Sequence, residues 1–559
     1  MWQKLNLLSE EAYNDIASIL MKNRWIDPEK INNDRFFSPK IHHLHDPFLI
    51  PDMEKAVRRI FQAKDLWEIV AISWDYDVDG VSSTAILVRF MNEIGIKTGK
   101  KLPHRIHDGY GLKDYFFDDF KKKWVSLVIT VDCGTRDIAP IHYAKTLWID
   151  VIVTDHHAVP EIIPEEVIWI LNPKRLDSLY PFSWLAGAWV AFKLIHALLV
   201  ELHSPEQREL FHPKVVQGLT EYIDFASLWT VADCMPLVDE NRTITSLGLA
   251  QMAHTRSHGL RKFLFWKDAI KNNADIIGFQ IGPRINAAGR MDHPDKALSF
   301  LLASEANVDG IIEELEELNH SRQKTTEFFV QNAHSSLNHS ESILFYTSKD
   351  ISHGIIGLVA GKITEQFHKP SIVLAEEEDH YIASCRSPEY CNIVELLEKC
   401  KHYLVRFWWH KQAAGFMIKK GEFIEFQKAI QYAFHEMFPD GNIPEKTLQV
   451  EMILASKDIN LATYDIIHSF EPFWIGNRRP LFMTQNLTIQ SAEFLWKEEK
   501  HLALMFQEIP KIKFIAWGWG EKRAELYSWR QIDPIYEIHQ NEWNGKVSVQ
   551  CIIKDAMVE

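Results

Sequence analysis

Short apolar runs alternate with helical stretches from Glu68 onward, and this alternation restricts the fold more than any other feature of the sequence. The runs are EIVAIS from Glu68, VSLVITV at 125–131, IDVIVT at 149–154 and VIWIL at 167–171. Buried parallel strands separated by helices produce this pattern. The sequence therefore predicts an α/β fold with a parallel sheet, in which ligands bind at the carboxyl ends of the strands.

Changes of pattern along the 559 residues predict several domains with separate cores. Alternating apolar runs such as KTLQVEMIL and KVSVQCIIK predict a small antiparallel β-barrel at the C-terminal end. The predicted order is an N-terminal helical cap at 1–65, an α/β domain at 66–295, a long connecting helix at 296–340, a smaller α/β domain at 341–440 and the barrel at 441–559.

Composition excludes some classes of protein without selecting a function. No apolar run of about 18 residues or more occurs and the first residues do not read as a signal peptide, so we expect a cytoplasmic protein without a membrane span. Six cysteines without a CxxC pair predict reduced thiols and argue against a structural zinc site. The formal net charge of −15 argues against coating of nucleic acid by bulk electrostatics, but it permits a local basic groove beside an acidic metal site.

Acidic residues and histidines follow three successive predicted strands. Each motif alone is also typical of a solvated loop or a helix cap, but recurrence at one sheet edge favours a shared site. Carboxylates crowded together repel each other, and a divalent cation relieves that repulsion. The candidates are Asp75, Asp77 and Asp79 in SWDYDVDG, Asp132 in VDCGT, Asp155, His156 and His157 in TDHHAVP, and Asp233 in TVADCMPL.

Mixed carboxylate and imidazole donors favour Mn²⁺ or Mg²⁺ over structural zinc. Carboxylates can bridge two such ions about 4 Å apart, and these pairs stabilise the attacking and leaving oxygens in phosphoryl displacement. The pattern therefore predicts a site for two metal ions of the kind that catalyses phosphoryl displacement.

The motifs DYDVDG, VDCGT, TDHHAVP and ADCMPL, in this order, resemble those of the DHH phosphoesterase superfamily. The resemblance implies that the metal ligands are Asp77, Asp79, Asp132, His156 and Asp233. It also implies that Asp75, Asp155 and His157 are catalytic. In that assignment Asp155 orients the neighbouring imidazole of His156, and His157 faces the scissile phosphate.

Further motifs resemble the RecJ branch of the superfamily, with a DHH-associated (DHHA1) domain and a C-terminal oligonucleotide-binding (OB) fold. These motifs are RIHDGYGL, GPRINAAGRM, SCRSPEYCNIVELL, HKQAAGF, EPFWIGNRRPLF and NEWNGKVSVQCIIKD. Arginine suits phosphate because its planar fork binds two oxygens at once. The implied nucleic-acid contacts are Arg105, Arg284, Ser384, Arg386, His410, Arg478 and Arg479.

The resemblance implies a 5′-to-3′ exonuclease that hydrolyses single-stranded DNA in recombination and repair. A single-strand-binding protein and a RecQ-type helicase are the implied partners. The chain departs from the family where Ser73-Trp74 replaces His-Gly, where Trp408 and Trp409 replace two glycines, and where SHG at 352–354 replaces His-Glu-Gly. These departures leave two alternatives, a catalytically weakened DNA-binding scaffold and a superfamily enzyme for short oligonucleotides, although the C-terminal barrel argues against the second.

Overall fold

A computed structural model describes most of the chain and divides it into two compact units. The larger unit comprises His45–Met235 and Leu247–Pro444, and the smaller unit comprises Met1–Leu44, Pro236–Ser246 and Glu445–Glu559. The described residues are 4–7, 16–26, 32–74, 78–101, 111–160, 169–266, 273–410, 412–439, 441, 443–496, 498–528 and 531–557.

Eighteen α-helices occur within these described ranges. In chain order they are α1 (Ile16–Asn23), α2 (Asn32–Phe37), α3 (Met53–Asp65), α4 (Val78–Glu93), α5 (Asp114–Lys122), α6 (Ile138–Thr146), α7 (Gly187–His203), α8 (Pro213–Ala232), α9 (Asp239–Met252), α10 (His258–Trp266), α11 (Gly282–Met291), α12 (Asp295–Leu301), α13 (Val308–Ser336), α14 (His353–Phe367), α15 (Ile393–Lys399), α16 (Phe423–Met437), α17 (Leu461–His468) and α18 (Arg523–Ser528). None of them is long and apolar enough to cross a membrane.

Nineteen strands accompany the helices in the same part of the chain. They are β1 (Lys4–Leu7), β2 (Ile69–Trp74), β3 (Thr98–Lys101), β4 (Val125–Val131), β5 (Asp150–Thr154), β6 (Trp169–Leu171), β7 (Leu344–Ser348), β8 (Ser371–Glu376), β9 (His380–Arg386), β10 (Leu404–His410), β11 (Ala413–Lys419), β12 (Thr447–Val450), β13 (Met452–Ile453), β14 (Phe482–Met483), β15 (Leu487–Phe494), β16 (Leu502–Phe506), β17 (Lys513–Ala516), β18 (Gln531–Trp543) and β19 (Lys546–Met557).

A five-stranded parallel sheet in the order β3-β2-β4-β5-β6 forms the centre of the larger unit. The Val- and Ile-rich runs form β2, β4 and β5 because nearly all their residues are buried between layers of helices. Trp74 pairs with Val131, and Val131 pairs with Thr154, so the carboxyl ends of these three strands lie side by side. The predicted parallel sheet is therefore confirmed.

The second sheet of the larger unit is mixed, in the order β10-β11-β9-β8-β7, and the helix α13 connects it to the parallel sheet. The segment predicted as one helix at 296–340 contains two helices, α12 and α13. A turn separates them, in which the Asn307 side chain accepts hydrogen bonds from the backbone N–H and the hydroxyl of Ser304.

Five strands of the smaller unit close into a ring. β15 pairs with β16, β16 with β17, β17 with β19, β19 with β18, and β18 pairs back with β15 through Leu487 and Thr488. Phe506, Phe514 and Tyr536 fill its core. The N-terminal residues belong to the same unit, since β1 pairs with β12 and Ile19 and Leu20 are buried in that core. All six cysteines of the chain are free thiols.

Candidate metal centre

Four separate elements of the larger unit place acids and histidines together. Asp132 follows β4, and His156 and His157 follow β5. Asp79 lies in the first turn of α4, and Asp233 caps the carboxyl end of α8. The strand-end residues meet because parallel strands present their carboxyl ends at one edge. Asp75, Asp77 and Arg105 lie outside the described residues.

The donor atoms form two overlapping groups that share His156. One group is Asp132, His156 and His157, the other is Asp79, His156 and Asp233, and within each group the donor atoms lie within 4.8 Å of one another. His156 Nε2 is 3.2 Å from an Asp132 carboxylate oxygen and 3.9 Å from an Asp79 oxygen. Carboxylate oxygens and an imidazole nitrogen at this spacing fit Mn²⁺ or Mg²⁺.

The start of helix α7 holds the Asp79 carboxylate. Its two oxygens accept hydrogen bonds from the backbone N–H groups of Gly187 at 2.6 Å and Ala188 at 2.7 Å. A helix N-terminus stabilises a carboxylate because its N–H groups and dipole are oriented towards it. The Asp79 side chain is therefore fixed in position before any ion binds.

Gly187 is a site residue that the sequence analysis missed. A Cβ atom at this position would lie 2.7 Å from Asp132 Oδ1 and 3.0 Å from Asp132 Cα. Only glycine therefore allows the start of α7 to approach Asp79 and Asp132 together. The one signal in the sequence is the run of small residues Ala186-Gly187-Ala188 at the helix start, which belongs to none of the motifs compared above.

Asp155 organises the loop that follows β5. One of its oxygens accepts the backbone N–H groups of His156 and His157, and the other accepts that of Thr135. The same carboxylate lies 2.8 Å from Nδ1 of His157. In the structure Asp155 thus orients His157, whereas the family resemblance predicts that it orients His156. The physical reason is that the Asp155 carboxylate accepts hydrogen bonds from the backbone N–H groups of its own loop. This conformation brings the His157 ring against the carboxylate.

Electrostatics set the protonation states in this loop. Burial, and then the charge of His157, lowers the pKa of His156 to about 3, so its imidazole is neutral at physiological pH. Burial alone raises the pKa of Asp155, but the hydrogen bond and charge of His157 lower it more, leaving it below its ordinary value. A neutral imidazole beside ionised carboxylates is the form of these side chains that binds a divalent ion.

Arg284, one of the arginines expected to contact a substrate phosphate, already binds other residues of the larger unit. Both ends of the Arg284 fork contact the Glu316 carboxylate on α13, with Nη2 at 3.1 Å, and its Nη1 donates to the Gln280 carbonyl at 2.7 Å. Arg284 is thus held in one orientation. Its contact with a substrate phosphate stays a prediction.

Ser384 and Arg386 lie together on β9, as their shared motif predicts. Arg386 Nη1 is 3.2 Å from Ser384 Oγ and donates to the Cys385 carbonyl at 2.8 Å. A Cβ atom on Gly357 of α14 would lie 3.1 Å from both Arg386 and Ser384. The pair therefore lies directly against α14. The side chain of His410 is outside the described residues.

The two arginines predicted for DNA contact in the smaller unit differ in environment. Arg479 Nη2 lies 2.9 Å from Glu471 Oε1, and its guanidinium stacks over Phe473. Arg478 is exposed to solvent. Of the two, Arg478 is the more accessible to a ligand.

Comparison with protein-family models agrees with this architecture. The model of the DHH family N-terminal domain matches residues 69–219, the DHHA1 domain model matches 340–436, and the RecJ OB domain model matches 450–555. The parallel sheet with carboxylates and imidazoles at its edge thus defines a DHH-class protein.

Curated relatives narrow the class to one family. The chain is 30% identical to the single-stranded-DNA-specific exonuclease RecJ of Bacillus subtilis, over 99% of this chain and 70% of the relative. It is also 30% identical to the protein of the same name from Salmonella typhimurium, over 90% of each. The chain belongs to the RecJ family.

Solved structures agree on the fold. The crystal structure of RecJ in complex with Mn²⁺ from Thermus thermophilus superposes with a TM-score of 0.82 at 25% identity, over 97% of this chain and 76% of that one. The Mg²⁺ complex of the same protein gives a TM-score of 0.76. The predicted architecture of DHH domain, DHHA1 domain and OB fold is confirmed.

Proposed function

We propose that this protein is a metal-dependent exonuclease that hydrolyses single-stranded DNA from the 5′ end. The observation that carries the proposal is the convergence of Asp79, Asp132, His156 and Asp233 at one sheet edge. Relatives that share nearly the whole chain are named single-stranded-DNA-specific exonucleases. The direction of digestion comes from the family resemblance alone.

Asp79, Asp132, His156 and Asp233 are the proposed ligands of two Mn²⁺ or Mg²⁺ ions, together with Asp77. The two overlapping donor groups support two ions, and the RecJ of Thermus thermophilus was solved with Mn²⁺ and with Mg²⁺. Bound divalent ions neutralise phosphate charge and stabilise the attacking and leaving oxygens of the displacement.

The side chains of Asp155 and His157, in the loop after β5, position the reacting phosphodiester. The side chain of His157 is 26% exposed whereas that of Asp155 is 1% exposed, so His157 is the member that a substrate can reach. Asp155 accepts the hydrogen bond from Nδ1 of His157 and thereby fixes the tautomer and the plane of the ring. We assign His157 to the scissile phosphate and Asp155 to its orientation.

The substrate is proposed to be a single strand held by several parts of the chain. The OB fold of the smaller unit supplies a surface of the type that binds single strands. The proposed strand contacts are Arg105, Arg284, Ser384, Arg386, His410, Arg478 and Arg479. The proposal also includes a role in recombination and repair and a cytoplasmic location. The proposed partners are a single-strand-binding protein and a RecQ-type helicase.

Digestion of end-labelled single strands tests this function. We expect release of label from 5′-labelled DNA as mononucleotides in Mn²⁺, no release in EDTA, and slow loss of label from the 3′ end. An Asp132→Asn variant, with wild-type thermal unfolding as its control, is expected to lose about 1,000-fold or more in rate, a barrier increase of about 4 kcal/mol. Undiminished digestion by this variant would refute the site, and release from the 3′ end first would refute the direction.

A further inference from the structure

The middle of helix α13 presents polar side chains where its two ends present apolar ones. Its buried residues lie three or four positions apart, except for a gap of seven between Asn319 and Thr326: Val308, Ile312, Leu315, Asn319, Thr326, Phe329 and Ala333. Arg322 comes three residues after Asn319 and four before Thr326, so it lies on the same face of the helix. Ile312 and Leu315 pack beside Phe263 and Phe300, and Phe329 and Ala333 join the core around α14. Arg322 therefore lies where α13 passes from one α/β domain to the other.

Arg322 has no carboxylate partner within the described part of the chain. Its Nη2 donates to Asn319 Oδ1 at 3.0 Å, one turn earlier on the same helix. Its Nε is buried, and no described residue accepts a hydrogen bond from it. An unsatisfied buried donor on a charged group costs stability, so a role in binding accounts for this arginine better than packing does.

A second guanidinium increases the positive charge at this point. The pKa of Arg322 is lowered, first by burial and then by the charge of Arg284. Glu316 is the carboxylate paired with Arg284. Two guanidinium groups therefore lie near each other, and only that of Arg284 is paired with Glu316. The guanidinium fork matches the geometry of phosphate oxygens.

We propose that Arg322 binds a backbone phosphate of the DNA strand at the junction of the two α/β domains. The guanidinium group makes the contact, while Asn319 holds its Nη2 end. Arg322 thereby assists the binding of substrate without touching the metal centre. This inference rests on the proposed function, since single-stranded DNA is its ligand.

Salt-dependent binding of oligothymidine in EDTA tests the contact without cleavage. For single strands the slope of log K against log salt falls by about 0.7 for each phosphate that the protein no longer neutralises. We expect Arg322→Gln and Arg322→Met to lower the slope by about that amount, with about tenfold weaker binding at moderate salt. The matched control is Lys324→Gln, an exposed cation on the same helix, which is expected to keep both values.

Thermal unfolding of each variant shows whether it is folded in the titrations. If Arg322→Gln unfolds at a lower temperature than the wild type, Arg322→Met is used in its place. A wild-type slope in a folded Arg322 variant would overturn the proposal, as would an equal reduction in Lys324→Gln. Failure of the proposed function gives a different result. In that case the wild-type protein binds the strand with the Arg322-dependent slope but does not digest it when Mn²⁺ is added.

An independent observation concerns tryptophans at helix ends. Trp25, Trp67, Trp124 and Trp148 each stand two residues beyond a helix, with φ between 56° and 60° and 86–95% of the residue exposed. A bulky residue with this left-handed backbone is a rare outlier, whereas glycine adopts it readily. The four side chains also bury almost no apolar surface that could offset the strain.

The hydrogen bonds at these helix ends are those of a motif that favours glycine. Trp67 and Trp148 each donate to the carbonyl three residues back, and the next residue donates to the carbonyl five residues back. Trp25 is bonded in the same way. The end of α4 has the identical pattern with Gly95, at φ 85°. Glycine is the usual residue at this position of the motif.

Two further tryptophans are buried without satisfying their indole N–H. Trp74 and Trp229 are 1% and 0% exposed, and no described residue accepts a hydrogen bond from either ring nitrogen. Buried tryptophans usually have such a partner. Trp74, Trp408 and Trp409 also replace glycines of the family pattern. The chain has only 24 glycines in 559 residues, against an average of about 7%.

We infer that the natural polypeptide carries glycine at residues 25, 67, 124 and 148, and that the same substitution applies at 74, 229, 408 and 409. UGA is a codon that some genetic codes assign to tryptophan and others to glycine, so one reassigned codon accounts for all these positions. Glycine at 408 and 409 would let the backbone beside His410 come close to a substrate. The departures from the family at residues 74, 408 and 409 would then disappear together, while Ser73 and SHG at 352–354 remain.

The codons and the mass of the natural protein test this inference. We expect UGA at residues 25, 67, 124 and 148, and peptides of the protein purified from its own cells with masses that require glycine. UGG at any of the four, or tryptophan in those peptides, would overturn it. In recombinant protein, glycine at all four should raise Tm by on the order of 10 °C. The matched control is Trp543→Gly, an exposed tryptophan with ordinary φ, which should not raise Tm.

Discussion

Gly187 shows how closely a single residue controls the candidate metal centre. Its N–H group holds Asp79, and its missing side chain makes room for Asp132. Gly187→Ala places a methyl group against the Asp132 backbone and carboxylate. We expect a loss of about 10- to 100-fold in metal affinity and nuclease rate, the usual size of an effect on ligand positioning. Steady-state kinetics against Mn²⁺ concentration measures it.

The matched control for that substitution is Gly310→Ala. Gly310 lies in helix α13 with nothing within 4 Å of an added Cβ. This variant should keep full activity and gain slightly in stability, because alanine favours a helix. Equal losses in the two variants would contradict the role of Gly187.

The sequence predicts most of the centre at this scale but not all of it. Asp132, His156 and Asp79 could be located because strand ends and family motifs both mark them. Gly187 could not, because its role depends on the approach of α7 to a carboxylate 108 residues earlier in the chain. The partner of Asp155 was also missed, since a contact within one loop depends on backbone dihedrals that a motif does not specify.

Helix α8 contains a buried acid that makes stability depend on pH. Burial raises the pKa of Asp224 to about 6, and hydrogen bonds from Thr255 and the Phe225 amide lower it only partly. A raised carboxyl pKa stabilises the folded protein below the unfolded pKa of 3.8, and this stabilisation is lost as pH rises through about 6.

Asp224→Asn should therefore stabilise the protein at neutral pH by up to about 3 kcal/mol. The gain should vanish near pH 4, where the wild-type carboxyl is protonated in both states. Urea unfolding at pH 8, 6 and 4 measures the difference. A gain that does not change with pH would contradict the electrostatic explanation.

The elements themselves follow the sequence closely where apolar periodicity is strong. The strands β2, β4 and β5 coincide with Val- and Ile-rich runs because burial on both faces demands such runs. The break between α12 and α13 could not be predicted, because it depends on a hydrogen bond between the Asn307 side chain and Ser304. No glycine or proline in that turn marks the interruption.

At the scale of the whole molecule, three distant segments of the chain meet in the smaller unit around Arg242. Its guanidinium donates to the carbonyls of Phe470, Glu471 and Pro472 and stacks over Phe36 at 3.5 Å. Burial lowers the pKa of Arg242 to about 9, yet it stays charged at neutral pH. Sequence patterns did not indicate that residues 236–246 join this unit.

Arg242→Gln should destabilise the smaller unit by about 2–4 kcal/mol, because several buried carbonyls lose a charged donor. Arg261→Gln, on the exposed face of α10, is the control and should change little. Limited proteolysis and thermal unfolding measure both. If the two variants unfold alike, Arg242 does not hold the segments together.

The central claim is that Asp79, Asp132, His156 and Asp233 bind divalent ions at one sheet edge. Equilibrium binding of Mn²⁺, followed by electron paramagnetic resonance of the free ion, tests it most directly because it needs no DNA. We predict two bound ions per chain in the wild-type protein and loss of at least one in a folded Asp132→Asn variant. The same number and affinity of bound ions in both proteins would contradict the account.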